Sequence, residues 1–338
     1  MSEITIKDIA KHAGVSVATV SRVVNGFMGV SPATMDKVNK AIADLNYVPN
    51  ATARSLKIDR TNLLAMLVSN ISNSHFTSMA KTIESCCRQE HFNILLCNTE
   101  DDPDIELEYL KRLTELRVDG IILNTTGLND AYICSLSHTI PMVLVDRSID
   151  DPDFAGDFVG SNGFDGMKLL TSHLIERGHR RIGIISSNQH VSTGRERYAG
   201  FVDTMKLAGI SIDDQYPYKY AGKLFNEEDG ISGARYLMNL EVPPTAIIAA
   251  NNNMAIGVYK YLGSQNISVP DTVSVVSYGN ISNSDLFPVV PTFTTLNPTF
   301  IGEKTATLLL SRIQDNTRSK REVIFQPLLL VNESTKSI

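Results

Sequence analysis

The sequence predicts a small all-α helix-turn-helix head joined to an α/β body of two doubly wound parallel-sheet subdomains. Three observations predict it. Between Thr5 and Leu45, apolar residues recur at helical spacing in three short segments, each opened by a Thr or Ser. From Leu63 onward, continuous apolar runs alternate with helical segments in two successive series. Charge divides along the same line. Residues 1–60 hold eight Lys/Arg and five Asp/Glu, a net of +3, which leaves −9 for the remainder of a chain whose total is −6. The total argues against nucleic acid, but a small basic head on an acidic body is the distribution of a modular nucleic-acid binder.

The head is built in order. Thr5-Ile6-Lys7-Asp8 reads as a helix start, a Thr cap with an acid three positions later, and Ile6, Ile9, Ala10 and Ala13 follow at helical spacing. Gly14 permits a sharp turn. Ser16 caps a second helix from Val17 to about Asn25, with Val20, Val23 and Val24 inward. Ser31 caps a third, Pro32 fits its first position, and Met35, Val38, Ile42 and Leu45 give it one apolar face. In such a unit the second helix enters the major groove with its N-terminal residues at the base edges. Those are Val17, Ala18, Ser21 and Arg22; Arg22 can donate two hydrogen bonds to guanine, while Val17 and Ala18 offer apolar contact. Thr5, Thr19, Asn25 and Tyr47 suit phosphate contacts. A helical bundle that packs against protein would show the same three-helix pattern.

The stretch from Asn46 to Lys57 makes one short helix after Pro49, too short to be stable alone. Small Ala51 and Ala53 let two copies approach, and Leu56 can wedge between base pairs in the minor groove; in a plain linker helix Leu56 would be a packing residue.

The body follows as strands at 63–68, 93–97, 120–123 and 142–145, then 158–160, 181–186, 245–250 and 273–278, with helices between them. Parallel sheets covered on both faces leave a cleft where strand C-termini meet. The pieces 293–315 and 322–331 cross back between the subdomains. Gly160, Gly163 and Gly166 lack the G-x-G-x-x-G spacing of a dinucleotide loop, and a closely packed helix start is the favoured reading. No hydrolase, phosphate-loop or zinc-protease motif occurs, and nothing assembles a nucleophile, base and oxyanion hole; no catalytic residue, cofactor or metal is expected. His173 and His179 flank a helix end and read as surface or capping residues.

Hydrophobic residues at 43% and charged residues at 20% are the balance of a chain that buries a sizeable core. No apolar run reaches membrane-spanning length, and MSEITIKDIAKHAG has no secretory h-region. Cys86, Cys87, Cys97 and Cys134 show no metal-ligand spacing and read as buried thiols in a reducing cytoplasm.

KDIAKHAGVSVATVSRVVNG followed by NYVPNATARSLK resembles the head of the lactose repressor/purine repressor (LacI/GalR) family, and the likeness extends through Ile71–Phe76 to Asn332–Thr335. The resemblance implies that Val17, Ala18 and Arg22 read an operator and that Leu56 intercalates. It implies a type I periplasmic-binding-protein-like body with a small-molecule effector between its subdomains. The domains expected are 1–47 (head), 48–60 (hinge) and 61–338 (body), the body dividing into about 61–160 with 292–320 and about 161–291 with 321–338. Carried over by motif, the cleft residues are Asn73, Ser74, His75, Phe76, Asp146, Arg147, Thr193, Arg197, Phe225, Asn251 and Gly279.

The chain departs from the family pattern twice. The usual Gly-Phe/Tyr-Asp is Ser277-Tyr278-Gly279, and the usual Asn-Asp is Asn251-Asn252. Two carboxylates are thus lost while His75, Arg147 and Arg197 remain, which favours an anionic effector: a sugar acid such as gluconate, a hexuronate or 2-keto-3-deoxygluconate. Asn280 or Asp285 could instead supply the missing acceptor. The function expected is a cytoplasmic repressor of carbohydrate-utilisation genes, a homodimer on a pseudo-palindromic operator, with no membrane partner. The ending VNESTKSI carries no leucine heptad, so no tetramer is expected. A neutral-sugar regulator and a regulator answering to a phosphoprotein corepressor are the alternatives within that class. An exported solute-binding protein would not need residues 1–57, and a sugar-acid enzyme would need catalytic groups in the cleft.

Overall fold

The computed structural model describes residues 4–24, 29–47 and 60–338, in two compact units that meet between Thr61 and Asn62.

In the first unit, α1 (Ile6–Ala13), α2 (Val17–Val24) and α3 (Pro32–Asp44) surround a small core of Ile9, Ala10, Val20, Val38 and Ala41. The Asp8 carboxylate accepts from Thr5 N (2.8 Å) and Thr5 Oγ1 (2.7 Å), which fixes the start of α1. Gly14 ends it at φ +66, a left-handed turn that costs glycine no side-chain clash. Ser16 Oγ accepts from Thr19 N (3.1 Å), and Ser31 Oγ from Thr34 N (3.3 Å). One expectation fails here. Met35 is 41% exposed, whereas Val38, Ile42 and Leu45 pack on the core as expected, joined by Ala41. A small alanine lets α3 sit close to its partners, and the longer methionine is turned out.

The second unit holds two six-stranded sheets. The first is ordered β11-β5-β4-β3-β1-β2, from β1 (Leu63–Val68), β2 (Asn93–Asn98), β3 (Gly120–Leu123), β4 (Met142–Val145), β5 (Asp157–Ser161) and β11 (Glu322–Phe325). The second is ordered β12-β10-β9-β8-β6-β7, from β6 (Ile182–Ser186), β7 (Lys219–Ala221), β8 (Ala246–Ala249), β9 (Ser274–Tyr278), β10 (Thr292–Thr294) and β12 (Leu329–Leu330). Every pairing is parallel except β10 with β12. Helices α4 (Ser74–Gln89), α5 (Pro103–Glu115), α6 (Asp130–Ser137) and α11 (Pro298–Gln314) cover the first sheet. Helices α7 (Gly163–Glu176), α8 (Ser192–Leu207), α9 (Glu227–Met238) and α10 (Asn252–Ser264) cover the second. Strands buried on both faces explain the unbroken apolar runs, and each fully buried Leu or Ile contributes about 2 kcal/mol.

The expected division of the C-terminal pieces is corrected. β10 pairs with β9 (Thr292↔Val276) and belongs to the second lobe, whereas β11 pairs with β5 (Glu322↔Phe158) and belongs to the first. A buried charge cluster is the reason for β11. Asp157, fully buried, accepts from Arg312 Nε (3.1 Å) and Nη2 (2.7 Å), from both Nη atoms of Arg318 and from Arg321 N (2.9 Å). Those bonds draw the segment after α11 onto the edge of β5.

His173 and His179 are also corrected, since both are buried. His173 Nε2 accepts from Arg177 Nε (3.1 Å) and lies 2.9 Å from Thr335 Oγ1; the two ring nitrogens of His179 meet Thr245 Oγ1 (2.9 Å) and the Lys336 carbonyl (3.1 Å). They pin the C-terminal segment against the second lobe. Burial, helped by Arg177 and His179, pushes His173 down to about 4, and burial lowers His179 as well. Above the unfolded value near 6.5 both states are neutral. Below it, the unfolded chain binds protons that the folded chain refuses, so stability falls as pH drops from 6.5 towards 4. Urea unfolding is expected to show a loss of about 2 kcal/mol from His173 between pH 7 and pH 5. His173→Gln should remove that part of the slope; an unaltered slope would refute the assignment.

Cys87, Cys97 and Cys134 are buried and Cys86 half-buried, all as free thiols. Burial raises Cys87 to about 12 and Cys97 and Cys134 to about 11, which keeps them protonated and inert. No described helix is long and apolar enough to cross a membrane.

Candidate functional site

In the head, α2 presents Val17 (42% exposed), Ala18 and Arg22 to solvent, one turn apart on one face, with Ser21 half-buried beside them. A bare valine and alanine flanking a guanidinium form a surface suited to base edges. Thr19 Oγ1 lies 2.8 Å from Ser16 Oγ, Thr5 Oγ1 donates to Asp8, and Tyr47 packs against the small core. Asn25, Ala53 and Leu56 lie outside the described residues.

In the body, the loops after the strand C-termini converge on a cavity of about 50 Å³ between the two lobes. Asn73, His75, Phe76, Asp146, Arg147, Thr193, Arg197, Phe225 and Asn251 all line it. Ser74 and Gly279 do not. The Ser74 carbonyl accepts from Thr77 Oγ1 (3.3 Å) within α4. Gly279 sits at φ +89, and a Cβ there would come within 2.9 Å of Leu296 Cδ1. Leu296, itself a lining residue, thus fills the space that a side chain at 279 would use.

The polar groups are held tightly. Asn73 caps α4, its Oδ1 accepting from His75 N (3.0 Å). Asn251 caps α10, accepting from Met254 N (2.8 Å), and donates Nδ2 to the Phe225 carbonyl (2.9 Å), so it fixes the Phe225 loop. Asp146, at φ +59, lies 2.7 Å from His75 Nε2. Burial alone would raise the Asp146 carboxyl, but His75, Arg197 and Arg147 outweigh it and hold the group below its ordinary value. Asp146 is therefore ionised and accepts only, so His75 carries its proton on Nε2.

Two of the three expected cations are already committed. His75 is bound to Asp146, and Arg147, buried, pairs with the Asp101 carboxylate through both Nη atoms and donates to the Thr125 carbonyl (2.8 Å). Arg197 differs. It is 8% exposed, donates Nη1 to the Ala250 carbonyl (2.9 Å), and lies 4.0 Å from the Tyr278 ring centroid and 5.5 Å from that of Phe225. Its Nε has no partner, and it joins no ion pair among the described residues. Asn124 is similar: Nδ2 donates to the Val145 carbonyl (3.0 Å), while its buried Oδ1 has no donor among the described residues.

Sequence reasoning placed Asn252 near the pocket only as a lost carboxylate, and missed Ser69, Asn70, Asn124 and Leu296 as lining residues and Asp101 as the partner of Arg147. Ser69 and Asn124 directly follow β1 and β3, so the rule that ligands meet strand C-termini could have found them. Leu296 arrives by the crossover after β10, which no local pattern reports.

A helix-turn-helix unit with a solvent-facing second helix, followed by two parallel-sheet lobes around a polar cavity, defines a DNA-binding protein with a periplasmic-binding-protein-like body. Comparison with known proteins agrees. The family model for bacterial regulatory proteins of the lacI family matches residues 5–50, and that for periplasmic binding proteins and the sugar binding domain of the LacI family matches residues 61–333. The chain is similar to the HTH-type transcriptional repressor PurR of Mannheimia succiniciproducens (33% identical over 339 residues) and of Haemophilus influenzae strain PittEE (34% over 341), each covering 99% of both chains. Among solved structures it resembles the complex of the transcriptional regulator CelR with cellobiose, with a TM-score of 0.70, 26% identity and coverage of 98% of this chain and 100% of that one. The lac repressor dimer bound to operator and the anti-inducer ONPF shares the fold, with a TM-score of 0.84, 24% identity and coverage of 99% and 100%. The chain belongs to the LacI family and is a DNA-binding transcriptional repressor rather than an enzyme.

Proposed function

We propose that this repressor acts in the cytoplasm as a homodimer on a pseudo-palindromic operator, and that a sugar acid held between the lobes sets its operator affinity. A two-fold dimer presents two heads to two half-sites, and the related lac repressor structure is such a dimer on its operator. Val17, Ala18, Ser21 and Arg22 face the bases, and Thr5, Thr19 and Tyr47 the backbone. The carbohydrate class is supported by the cellobiose complex of CelR and by the acceptors Asn124 Oδ1 and Asp146, which suit sugar hydroxyls.

The observation that carries the acidic character is Arg197: a buried guanidinium of the cavity lining that joins no salt bridge among the described residues, although its charge acts on Asp146, and whose Nε has no hydrogen-bond partner there. A ligand carboxylate supplies the missing partner and accepts two charge-assisted hydrogen bonds. His75 and Arg147 contribute positioning rather than free charge. The effector changes operator affinity only by binding one lobe arrangement better than the other.

A neutral sugar is the second reading, favoured by Asp146 and Asn124, which ask for hydroxyl donors. Calorimetric titration with gluconate, hexuronates and 2-keto-3-deoxygluconate against their neutral parents decides between them. The acids are expected to bind at least tenfold more tightly, and to shift the salt-dependent binding of a duplex selected from a random pool. Tighter binding of the neutral parents overturns the acidic reading; no preference for any palindromic duplex overturns the operator reading.

A further inference from the structure

Asn73 belongs to the first lobe and Asn252 to the second, 179 residues further on, and their side-chain amides meet at the cavity wall. Asn73 Nδ2 donates to Asn252 Oδ1 (3.2 Å) and Asn252 Nδ2 donates back to Asn73 Oδ1 (3.0 Å). Both residues are buried, at 7% and 5% exposure. Asn73 Oδ1 accepts from His75 N as well, so one lone pair serves its own helix and the other the opposite lobe. The pair therefore joins the N-termini of α4 and α10, both positive ends of helix dipoles, without adding a charge. An aspartate at either position could accept but not donate, so reciprocal pairing requires an amide on both sides.

We infer that Asn73 and Asn252 are positioning residues, a latch that holds the two lobes closed around the effector, each acting through the other rather than on the effector. The bonds form only when the lobes meet, so the latch adds to the free energy of closure and hence to effector affinity. Ser148 N, which donates to Ser192 Oγ (2.9 Å), and Ser161 with Tyr278 (3.1 Å between hydroxyls) cross between the lobes elsewhere, so losing the amide pair loosens the lobes without separating them entirely.

The test compares the full chain with Asn252→Ala, with Asn73→Ser, which keeps a capping oxygen for α4 but is too short to pair with Asn252, and with the double variant. Its first arm needs no effector and so does not depend on the proposed function. In hydrogen–deuterium exchange of the effector-free protein, each single variant is expected to speed exchange at both cleft lips, residues 74–79 and 252–257. The double variant should exchange no faster than the faster single. The second arm rests on the effector reading and uses gluconate as probe: each single variant should weaken binding about threefold to tenfold, and the double no further. Faster exchange confined to the substituted residue's own helix, or effects that add in the double variant, would overturn the latch. Failure of gluconate to bind the wild type, with the exchange result intact, would count against the sugar acid and leave the latch standing.

Discussion

Asp157→Asn is expected to destabilise the body by about 3–5 kcal/mol, the cost of breaking a buried ion pair from one side. The carboxylate is fully buried and satisfies Arg312, also fully buried, together with Arg318 and the Arg321 amide. Without its charge two guanidiniums face one another in a medium that screens poorly. The segment 315–321 would lose its anchor, and with it the edge strand Glu322–Phe325. Urea titration should show the midpoint moving sharply lower. Adding Arg312→Met should recover part of the loss, because it removes one stranded charge and leaves an apolar side chain of similar length in the core. A midpoint shift equivalent to less than about 1 kcal/mol would mean that the cluster does not anchor the crossover.

Arg197→Lys should reduce affinity for the sugar acid by about two orders of magnitude, roughly 3 kcal/mol, while the thermal midpoint moves little. Lysine keeps the charge but has no Nε–H fork. It cannot donate to the Ala250 carbonyl and to a ligand carboxylate in the same planar geometry, and it stacks less well on Tyr278. Calorimetry on the variant checks this, with the neutral parent sugar as a control whose weaker binding should change less. Binding of the acid within threefold of wild type would remove Arg197 from the recognition of a carboxylate.

Much of the molecule was legible in one dimension. The capped helices of the head and the buried strands follow from patterns within a dozen residues, and most of the cavity wall from the resemblance to the LacI/GalR family. Hydrophobic periodicity reports which face a segment buries, and strand ends mark where ligands can sit. Several departures share one cause, a contact made by a distant segment. Asn73, Asp146 and Asn251 were named, but Gly279 was read as an empty place at the pocket, when Leu296 comes from another segment to fill it. His173 and His179 read as surface or capping residues because nothing near them announces that residues 335 and 336 pack over them.

By itself the sequence determined the order of elements and the basic head with its exposed Val17, Ala18 and Arg22, and its family resemblance supplied part of the polar cleft lining. Tertiary structure alone decided which sheet each C-terminal strand joins and which charges remain available. Strand partnership and charge pairing depend on distances between segments far apart in the chain. Arg147 counts as a free cation until Asp101, 46 residues earlier, is folded against it, and β11 belongs to neither lobe until Asp157 gathers the arginines that precede it. Local propensity carries no information about such encounters, whereas burial in a poorly screening interior makes them among the strongest interactions in the protein.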